Sequence, residues 1–84
     1  MQIELFTKTP CPYCSKAKAW LDKHAIPYRE LPLDGDPENQ QRFNALGLTG
    51  RSRTVPQIIA DGERIGGYTD LIISDLVQRY TAAR

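Results

Sequence analysis

The sequence holds few of the residues that cross-link small proteins or build metal centres. Its 84 residues include two cysteines and one histidine. Two cysteines permit at most one disulfide, so a fold framed by several disulfides is excluded. A chain of this length has room for one hydrophobic core, and we expect residues 1–84 to form a single domain.

The chain also lacks an excess of one charge and a long apolar run. Its net charge of +1 gives no electrostatic basis for binding nucleic acid or an anionic membrane. No apolar stretch approaches the roughly 20 residues of a transmembrane helix. Met1 to Phe6 contains Glu4 and is followed by Lys8 and Pro10, unlike a secretory signal peptide. We therefore expect a cytoplasmic protein with no nucleic-acid or membrane partner.

Periodicity and helix signals predict a β-α-β unit in the first half. Gln2 to Phe6 alternates as a strand does, and Pro12 suits the first turn of a helix. Four apolar residues then recur at helical spacing: Ala17, Trp20, Leu21 and Ala25. Pro27 is expected to end this helix, and Tyr28 to Leu31 to form the second strand.

The middle of the chain predicts a second helix followed by a loop. Asp36-Pro37-Glu38 supplies an N-cap, a proline at the first helical position and an acid in the first turn. Phe43 and Leu46 would form the buried side of this helix, and Gly47 would end it. Residues 47–53 are polar and glycine-containing, which predicts a loop.

The last third predicts a hairpin and a helix. Asp61-Gly62 between Gln57–Ala60 and Glu63–Ile65 is a strong hairpin signal. Gly66-Gly67 interrupts the chain, and Thr69-Asp70 is expected to cap one last helix. Its apolar residues are Ile72, Ile73, Leu76, Val77 and Tyr80. The order β-α-β-α-β-β-α predicts an α/β fold, in which a four-stranded mixed sheet is packed by three helices.

The segment Cys11-Pro12-Tyr13-Cys14 carries the chemistry. It lies where a strand ends and a helix begins, so the positive end of the helix dipole would stabilise a thiolate on Cys11. Positions three apart on a helix are neighbours, which brings the two sulfurs within bonding reach. Cys11 would be exposed at the turn and Cys14 shielded one turn later. We therefore expect Cys11 to attack a substrate sulfur and Cys14 to resolve the product.

A Cys-x-x-Cys pair can also bind zinc or form a purely structural disulfide. A zinc site needs three or four protein ligands, and His24 is about 15 Å along the helix from Cys14. We therefore expect no metal. A structural disulfide across so short a loop removes little chain entropy and is disfavoured in a reducing compartment. A redox-active pair next to a β-α-β pattern is the favoured interpretation.

Three motifs together show a family resemblance. They are Thr7-Lys8-Thr9-Pro10-Cys11-Pro12-Tyr13-Cys14, then Thr54-Val55-Pro56-Gln57-Ile58, then Gly66-Gly67-Tyr68-Thr69-Asp70-Leu71. In these motifs and their order the sequence resembles the glutaredoxin family over essentially its whole length. The resemblance implies the thioredoxin fold with strand order 2-1-3-4 and a cis peptide bond at Val55-Pro56.

The resemblance also implies a glutathione site. Lys8 and Arg42 would meet the glycine carboxylate, and Thr54 and Val55 would hold the cysteinyl backbone. The γ-glutamyl carboxylate would bind the N–H groups of Thr69 and Asp70, with its ammonium at the Asp70 side chain. Residues of the same motifs complete the expected site: Tyr13 beside the sulfur, Pro56, Gly67 and Tyr68. Four of these residues also have a simpler interpretation. Lys8 and Arg42 could be solvated surface cations, and Thr69 and Asp70 could be ordinary helix N-cap residues.

By resemblance, the expected function is glutathione-dependent reduction of protein disulfides and glutathione mixed disulfides. Glutathione would be the co-substrate, regenerated by glutathione reductase and NADPH, and the protein would act as a monomer on disulfide-containing or glutathionylated clients. One alternative is a glutaredoxin-like redoxin reduced by thioredoxin reductase. The other is an iron–sulfur cluster carrier that shares a cluster between two chains. Relatives specialised for that task usually have one active-site cysteine before Gly-Phe-Ser, which argues against it here.

Overall fold

Residues 1–83, which are the residues described by the computed structural model, contain four strands and four α-helices in the order β-α-β-α-β-β-α-α. The strands are β1 (Ile3–Thr7), β2 (Arg29–Pro32), β3 (Gln57–Ala60) and β4 (Glu63–Gly66). The helices are α1 (Pro12–Lys23), α2 (Pro37–Asn44), α3 (Tyr68–Ile72) and α4 (Leu76–Ala83), with a 3₁₀ turn at Gly50–Ser52. No helix in this part of the chain is long and apolar enough to cross a membrane.

The strands form one mixed sheet in the order β2-β1-β3-β4. β1 is parallel to β2 and antiparallel to β3, and β4 is antiparallel to β3. The hairpin turn has positive φ at both Asp61 (49°) and Gly62 (84°), as the Asp-Gly pair predicts. The predicted strand order is therefore confirmed, and β1 lies at the centre of the sheet with its carboxyl end leading to Cys11.

The sheet is covered on both faces because successive side chains of a strand point to opposite sides. Leu5 of β1 belongs to a cluster with Ala17 and Leu21 of α1 and Leu71 of α3. Phe6 points the other way and packs against Phe43 of α2, with ring centroids 5.7 Å apart. The two layers hold the end of β1 between them, which fixes the turn that carries Cys11.

Helix α1 begins as predicted and ends earlier than predicted. Pro12 is its first residue and Cys11 its N-cap. The helix ends at Lys23, not at Pro27, because Ala25 adopts a left-handed φ of 54° and is exposed. The N–H groups of Ala25 and Ile26 donate to Asp22 and Leu21, which is the Schellman pattern of a helix end. Ile26, not Ala25, enters the core.

Helix α2 begins at the predicted cap. The Asp36 side chain accepts a hydrogen bond of 2.9 Å from the Glu38 N–H, and Pro37 is the first helical residue. The helix ends at Asn44, so Leu46 lies beyond it and is only half-buried, while Leu48 of the following loop is buried. Gly47, with φ of 71°, follows the helix end rather than capping it.

The expectation of one last helix capped by Thr69-Asp70 is wrong. Gly67 is the N-cap of α3, and Asp70 is its third residue. The Ser74 hydroxyl donates to the Leu71 carbonyl at 2.7 Å and accepts from the Leu76 N–H at 3.3 Å, so it competes with helical hydrogen bonds and separates α3 from α4. As a result Ile72 and Ile73 are exposed, whereas Leu71 and Leu76 are buried. The sheet is thus packed by four α-helices instead of three.

Candidate active site

The cysteine pair lies at the start of α1, next to the end of the central strand. Cys11 and Cys14 are joined as a disulfide, with Cα atoms 5.2 Å apart. Cys11 is partly exposed at the turn, and Cys14 is only 3% exposed inside the first turn of the helix. The predicted proximity and the predicted difference in exposure are both confirmed.

The surroundings of Cys11 favour a negative charge on its sulfur. Cys11 Sγ accepts a hydrogen bond of 3.1 Å from the Cys14 N–H, which is one of the free donors at a helix start. The positive end of the α1 dipole points at the same atom. An anionic sulfur at this position is therefore stabilised by backbone groups that are fixed before any substrate arrives.

Val55 lies beside the cysteine pair, on the loop that enters β3. Its carbonyl oxygen is 3.7 Å from Cys11 Sγ. The Val55–Pro56 peptide bond is cis, as the resemblance implies, and so is Thr9–Pro10, which the sequence analysis did not predict. The sequence-distant Thr54-Val55-Pro56 motif is thus brought directly to the sulfur.

A pocket of about 350 Å³, here called the main pocket, opens beside this motif. It gathers eight of the ten residues that the resemblance assigns to glutathione binding: Tyr13, Thr54, Val55, Pro56, Gly67, Tyr68, Thr69 and Asp70. The Tyr13 ring is 56% exposed and lies 6.0 Å from the Tyr68 ring, measured between centroids. The main pocket therefore has two aromatic rings in its wall and an acid at the end formed by α3.

Asp70 is fixed by the backbone at that end. Its Oδ2 atom accepts a hydrogen bond of 3.0 Å from the Gly67 N–H. The N–H groups of the first residues of α3, Tyr68 to Asp70, have no partner within the helix. This end of the pocket thus presents a carboxylate oxygen for a cation next to N–H donors for an anion.

A second pocket, here called the side pocket, adjoins the main pocket and shares Thr54 and Val55 with it. Its volume is about 230 Å³, and its other lining residues are Lys8, Leu33, Gln40, Phe43 and Arg53. Asn44 Oδ1 accepts hydrogen bonds from Gln40 Nε2 at 3.0 Å and from Arg53 Nη2 at 2.7 Å. The side pocket therefore concentrates cationic and amide donors.

Arg42 lines neither of these two pockets. Its guanidinium donates a 2.6 Å hydrogen bond to Glu4 Oε1 of β1. This bond, opposed by burial, lowers the pKa of Glu4 and raises that of Arg42. The structure does not bring Arg42 to the other candidate ligand-binding residues, and its charge is already paired.

Arg53 and Gln40 are the side-pocket residues that the sequence analysis missed. Arg53 directly precedes the Thr54-Val55-Pro56 motif, and its guanidinium lies 5.1 Å from the centre of the Phe43 ring. Gln40 is three residues before the buried Phe43, so it lies on the same side of α2. Adjacency to the motif could have identified Arg53, and the helical position of Phe43 could have identified Gln40.

The single histidine of the sequence lies at the opposite end of α1 from the cysteine pair. Among residues 1–83, no group of three or more His, Cys, Asp or Glu side chains is arranged to hold a metal ion. His24 is the C-cap of α1, and its ring contacts that of Trp20 in a tilted arrangement, with ring centroids 4.4 Å apart.

Comparison with known proteins gives close relatives. A protein-family model described as Glutaredoxin matches residues 3–65. The chain is 41% identical to Glutaredoxin 3 of Escherichia coli strain K12 over 73 residues, which cover 87% of this chain and 84% of that protein. It also resembles the crystal structure of a buckwheat glutaredoxin–glutathione complex, with a TM-score of 0.71 and 27% identity over 96% of this chain and 69% of that one.

A likeness to a glutaredoxin-like protein with a thioredoxin-like activity profile, the NrdH-redoxin of Escherichia coli, concerns the fold alone. The two structures share a TM-score of 0.72 but only 22% identity, over 94% of this chain and 93% of that one. The sequence relationship to glutaredoxins is much closer. With its Cys-x-x-Cys pair at a helix start, its β2-β1-β3-β4 sheet and this match, the chain belongs to the glutaredoxin family of thiol–disulfide oxidoreductases.

Proposed function

We propose that the protein is a glutathione-dependent oxidoreductase that reduces protein disulfides and glutathione mixed disulfides through Cys11 and Cys14. One observation carries the proposal: Cys11 Sγ lies 3.7 Å from the carbonyl of Val55, a residue shared by the main and side pockets. A tripeptide laid across Thr54 and Val55 would have its central cysteine at the Cys11 sulfur and one end in each pocket.

The charges of the two pockets complement the two ends of glutathione. The γ-glutamyl end carries an ammonium and a carboxylate, which suit the Asp70 carboxylate and the free N–H groups of α3. The glycine end carries only a carboxylate, which suits Lys8 and Arg53. Thr54 and Val55 offer backbone groups between them, in the manner of an added strand.

The proposed reaction proceeds by thiol–disulfide exchange. The Cys11 thiolate attacks a sulfur of the substrate disulfide and forms a mixed disulfide, and the other substrate sulfur leaves as a thiolate. A glutathione thiolate then attacks the mixed disulfide, or Cys14 displaces the bound group and closes the Cys11–Cys14 disulfide. Because glutaredoxin potentials of about −200 to −230 mV overlap the range of the cytosolic glutathione pool, exchange can run in both directions.

The proposal extends to the partners of the reaction. The electron donor is glutathione, which glutathione reductase and NADPH regenerate, and the clients are glutathionylated or disulfide-bonded proteins of the cytoplasm. We further propose that the protein acts as a monomer.

A coupled assay with two reductases tests the proposal. NADPH oxidation is followed with a small glutathione mixed disulfide as substrate, in the presence of either glutathione with glutathione reductase or thioredoxin reductase. We expect turnover with the glutathione system and none with thioredoxin reductase. Asp70→Asn should raise the KM for glutathione, whereas Asp75→Asn, which removes an equally exposed acid outside the pockets, should not. Efficient turnover with thioredoxin reductase alone would replace this function with that of a redoxin.

A further inference from the structure

A third pocket lies beside Cys14, between β1, α1 and β2. This back pocket has a volume of about 370 Å³ and shares no lining residue with the main pocket. Its lining includes both cysteines, Cys11 and Cys14, together with Thr7, Lys18 and Glu30. Cys14 is only 3% exposed, and it lines this pocket but neither the main pocket nor the side pocket.

A carboxylate is held in this pocket by two other lining residues. The Thr7 hydroxyl donates a hydrogen bond of 2.7 Å to Glu30 Oε2. Lys18 Nζ lies 3.4 Å and 3.5 Å from the two Glu30 oxygens. Lys18 is four residues after Cys14 on α1, so the two side chains are neighbours on the same side of the helix. The Lys18–Glu30 pair and the buried cysteine therefore line the same pocket.

The resolving step needs a proton acceptor at this position. The attacking group in thiol–disulfide exchange is a thiolate, and burial disfavours the charged form of a thiol. Cys11 has the helix N-terminus and the Cys14 N–H to stabilise its charge, whereas Cys14 lies inside the first turn. Glu30 is the one carboxylate among the residues that line the back pocket.

We propose that Glu30 accepts the proton of the Cys14 thiol when Cys14 resolves a mixed disulfide on Cys11, a role that rests on the proposed function. The proton passes from Cys14 Sγ to the Glu30 carboxylate through the solvent of the back pocket. Cys14 Sγ then attacks Cys11 Sγ, and the Cys11–Cys14 bond forms as the bond from Cys11 to the bound sulfur breaks. The released thiolate takes a proton from solvent, and Glu30 releases to solvent the proton that it accepted from Cys14.

The electron balance is that of a simple exchange. Cys14 is oxidised from thiol to disulfide, and the departing sulfur is reduced from disulfide to thiol. In the reverse direction, a glutathione thiolate attacks Cys11 Sγ, Cys14 leaves as a thiolate, and the proton that neutralises Cys14 comes from solvent by way of the Glu30 carboxylate. Lys18 is a positioning residue, because it holds the carboxylate without touching the reacting sulfurs.

The pH dependence of the resolving step reports the titratable groups around Glu30 as well as Glu30 itself. Lys8 and Lys18 line the back pocket together with Glu30. Tyr28, two residues before Glu30 in the chain, is influenced by it, because burial first and then the charges of Asp22 and Glu30 raise the pKa of its hydroxyl. The titratable groups around the step are therefore Cys11, Cys14, Glu30, Tyr28 and the two lysines.

Single-turnover kinetics test the assignment. Reduced protein is mixed with glutathione disulfide, the reaction is quenched with acid, and mass spectrometry follows the glutathionylated protein. Its formation depends on Cys11, and its decay to the internal disulfide depends on Cys14. General-base catalysis contributes about 10²–10⁴-fold, and because the Lys18–Glu30 pair is about a third exposed, we expect Glu30→Gln to slow the decay by about tenfold or more at pH 7. Formation should change by less than about twofold.

Two comparisons distinguish a proton acceptor from a structural residue. Glu30→Gln keeps an acceptor for the Thr7 hydroxyl, and the loss should shrink as the pH rises above the ordinary thiol value of about 8.5 toward the pH at which a buried thiol ionises without help. Glu63→Gln is the matched control. Glu63 is an exposed carboxylate on β4, the edge strand opposite to β2, and it is paired with Arg79 of α4. An unchanged decay rate in Glu30→Gln, an equal loss in Glu63→Gln, or a loss that persists at high pH would overturn the inference. Failure of the unmodified protein to form any mixed disulfide would instead overturn the proposed function.

Discussion

The Asp70 carboxylate occupies the space that a side chain on Gly66 would fill. A Cβ atom built on Gly66 would lie 2.8 Å from Asp70 Cγ, closer than such atoms approach in folded proteins. Gly66 also has a φ of 126°, outside the range that other residues adopt readily. The glycine at the end of β4 therefore allows Asp70 to turn back onto the Gly67 N–H and to face the main pocket.

This relationship predicts that Gly66→Ala lowers both stability and glutathione use. The positive φ should lower the free energy of unfolding by at least about 1 kcal/mol, and the clash should displace the Asp70 carboxylate. Gly62→Ala is the control, because Gly62 has a φ of 84° but no heavy atom within 4 Å of a built Cβ. Urea unfolding should show both variants to be destabilised, while the KM for glutathione should rise only in Gly66→Ala. An unchanged KM in Gly66→Ala would show that the position of Asp70 does not matter for glutathione use.

The unequal exposure of the two cysteines predicts unequal losses of activity. Cys11→Ser should abolish all thiol transfer, because the buried Cys14 cannot reach a substrate disulfide. Cys14→Ser should retain reduction of glutathione mixed disulfides, for which glutathione itself can release Cys11, and should lose much of the reduction of protein disulfides. Assays with one substrate of each class measure this difference. Equal loss of both activities in both variants would contradict the assignment of attacking and resolving roles.

The backbone environment of Cys11 predicts a reactive thiolate at neutral pH. In a Cys14→Ser background, the rate of alkylation by iodoacetamide reports the ionisation of Cys11 alone. We expect its midpoint below the ordinary thiol value of about 8.5 and within the range of about 3.5–7.5 found for thiols at helix N-termini. The substitution keeps the hydrogen-bond donor in place, since Cys14 donates to Cys11 Sγ through its backbone N–H. A midpoint near 8.5 would show that the helix start gives Cys11 no advantage.

The sequence predicts most of the fold because its turn and cap residues act locally. Asp36 and the Asp61-Gly62 pair each dictate backbone geometry within a few residues, and the structure has a cap and a hairpin there. Local patterns could not predict the break between α3 and α4, because Ile72 and Ile73 fit helical spacing as well as Leu71 and Leu76 do. Only the Ser74 side chain, which bonds to the backbone on both sides, decides which apolar residues face the core.

In the candidate site too, local sequence patterns could not predict contacts between residues that are distant in sequence. The three motifs predict the main pocket, but the partner of a surface arginine depends on packing between α2 and β1. Arg42 of α2 is paired with Glu4 of β1. The two residues are far apart in the sequence, so no local pattern predicts their contact. Arg53 lies in the side pocket instead because the loop before β3 folds back onto Phe43 and Asn44.

Arg53 and Arg42 should differ in their effects on glutathione use and on stability. Arg53→Met should weaken glutathione use by about fivefold, the equivalent of the about 1 kcal/mol that an exposed charge contributes at most. Arg42→Met should leave the KM for glutathione nearly unchanged and lower the free energy of unfolding by about 1 kcal/mol at pH 7, since Arg42 is 40% exposed and solvent screens its ion pair. Urea unfolding and the coupled reductase assay, applied to both variants, measure the two effects.

The stability loss in Arg42→Met should depend on pH in a direction that the pair dictates. The hydrogen bond from Arg42 lowers the pKa of Glu4 in the folded state, so the pair stabilises the protein above the unfolded carboxyl pKa of about 4.3. As the pH falls through the lower folded pKa, Glu4 becomes protonated and the contribution is lost. The difference in unfolding free energy between Arg42→Met and the unmodified protein should therefore be present at pH 7 and vanish once Glu4 is protonated in both. If the difference in unfolding free energy stayed constant down to the pH at which Glu4 is protonated, Arg42 would stabilise the fold through its contact with the Phe6 ring rather than through Glu4.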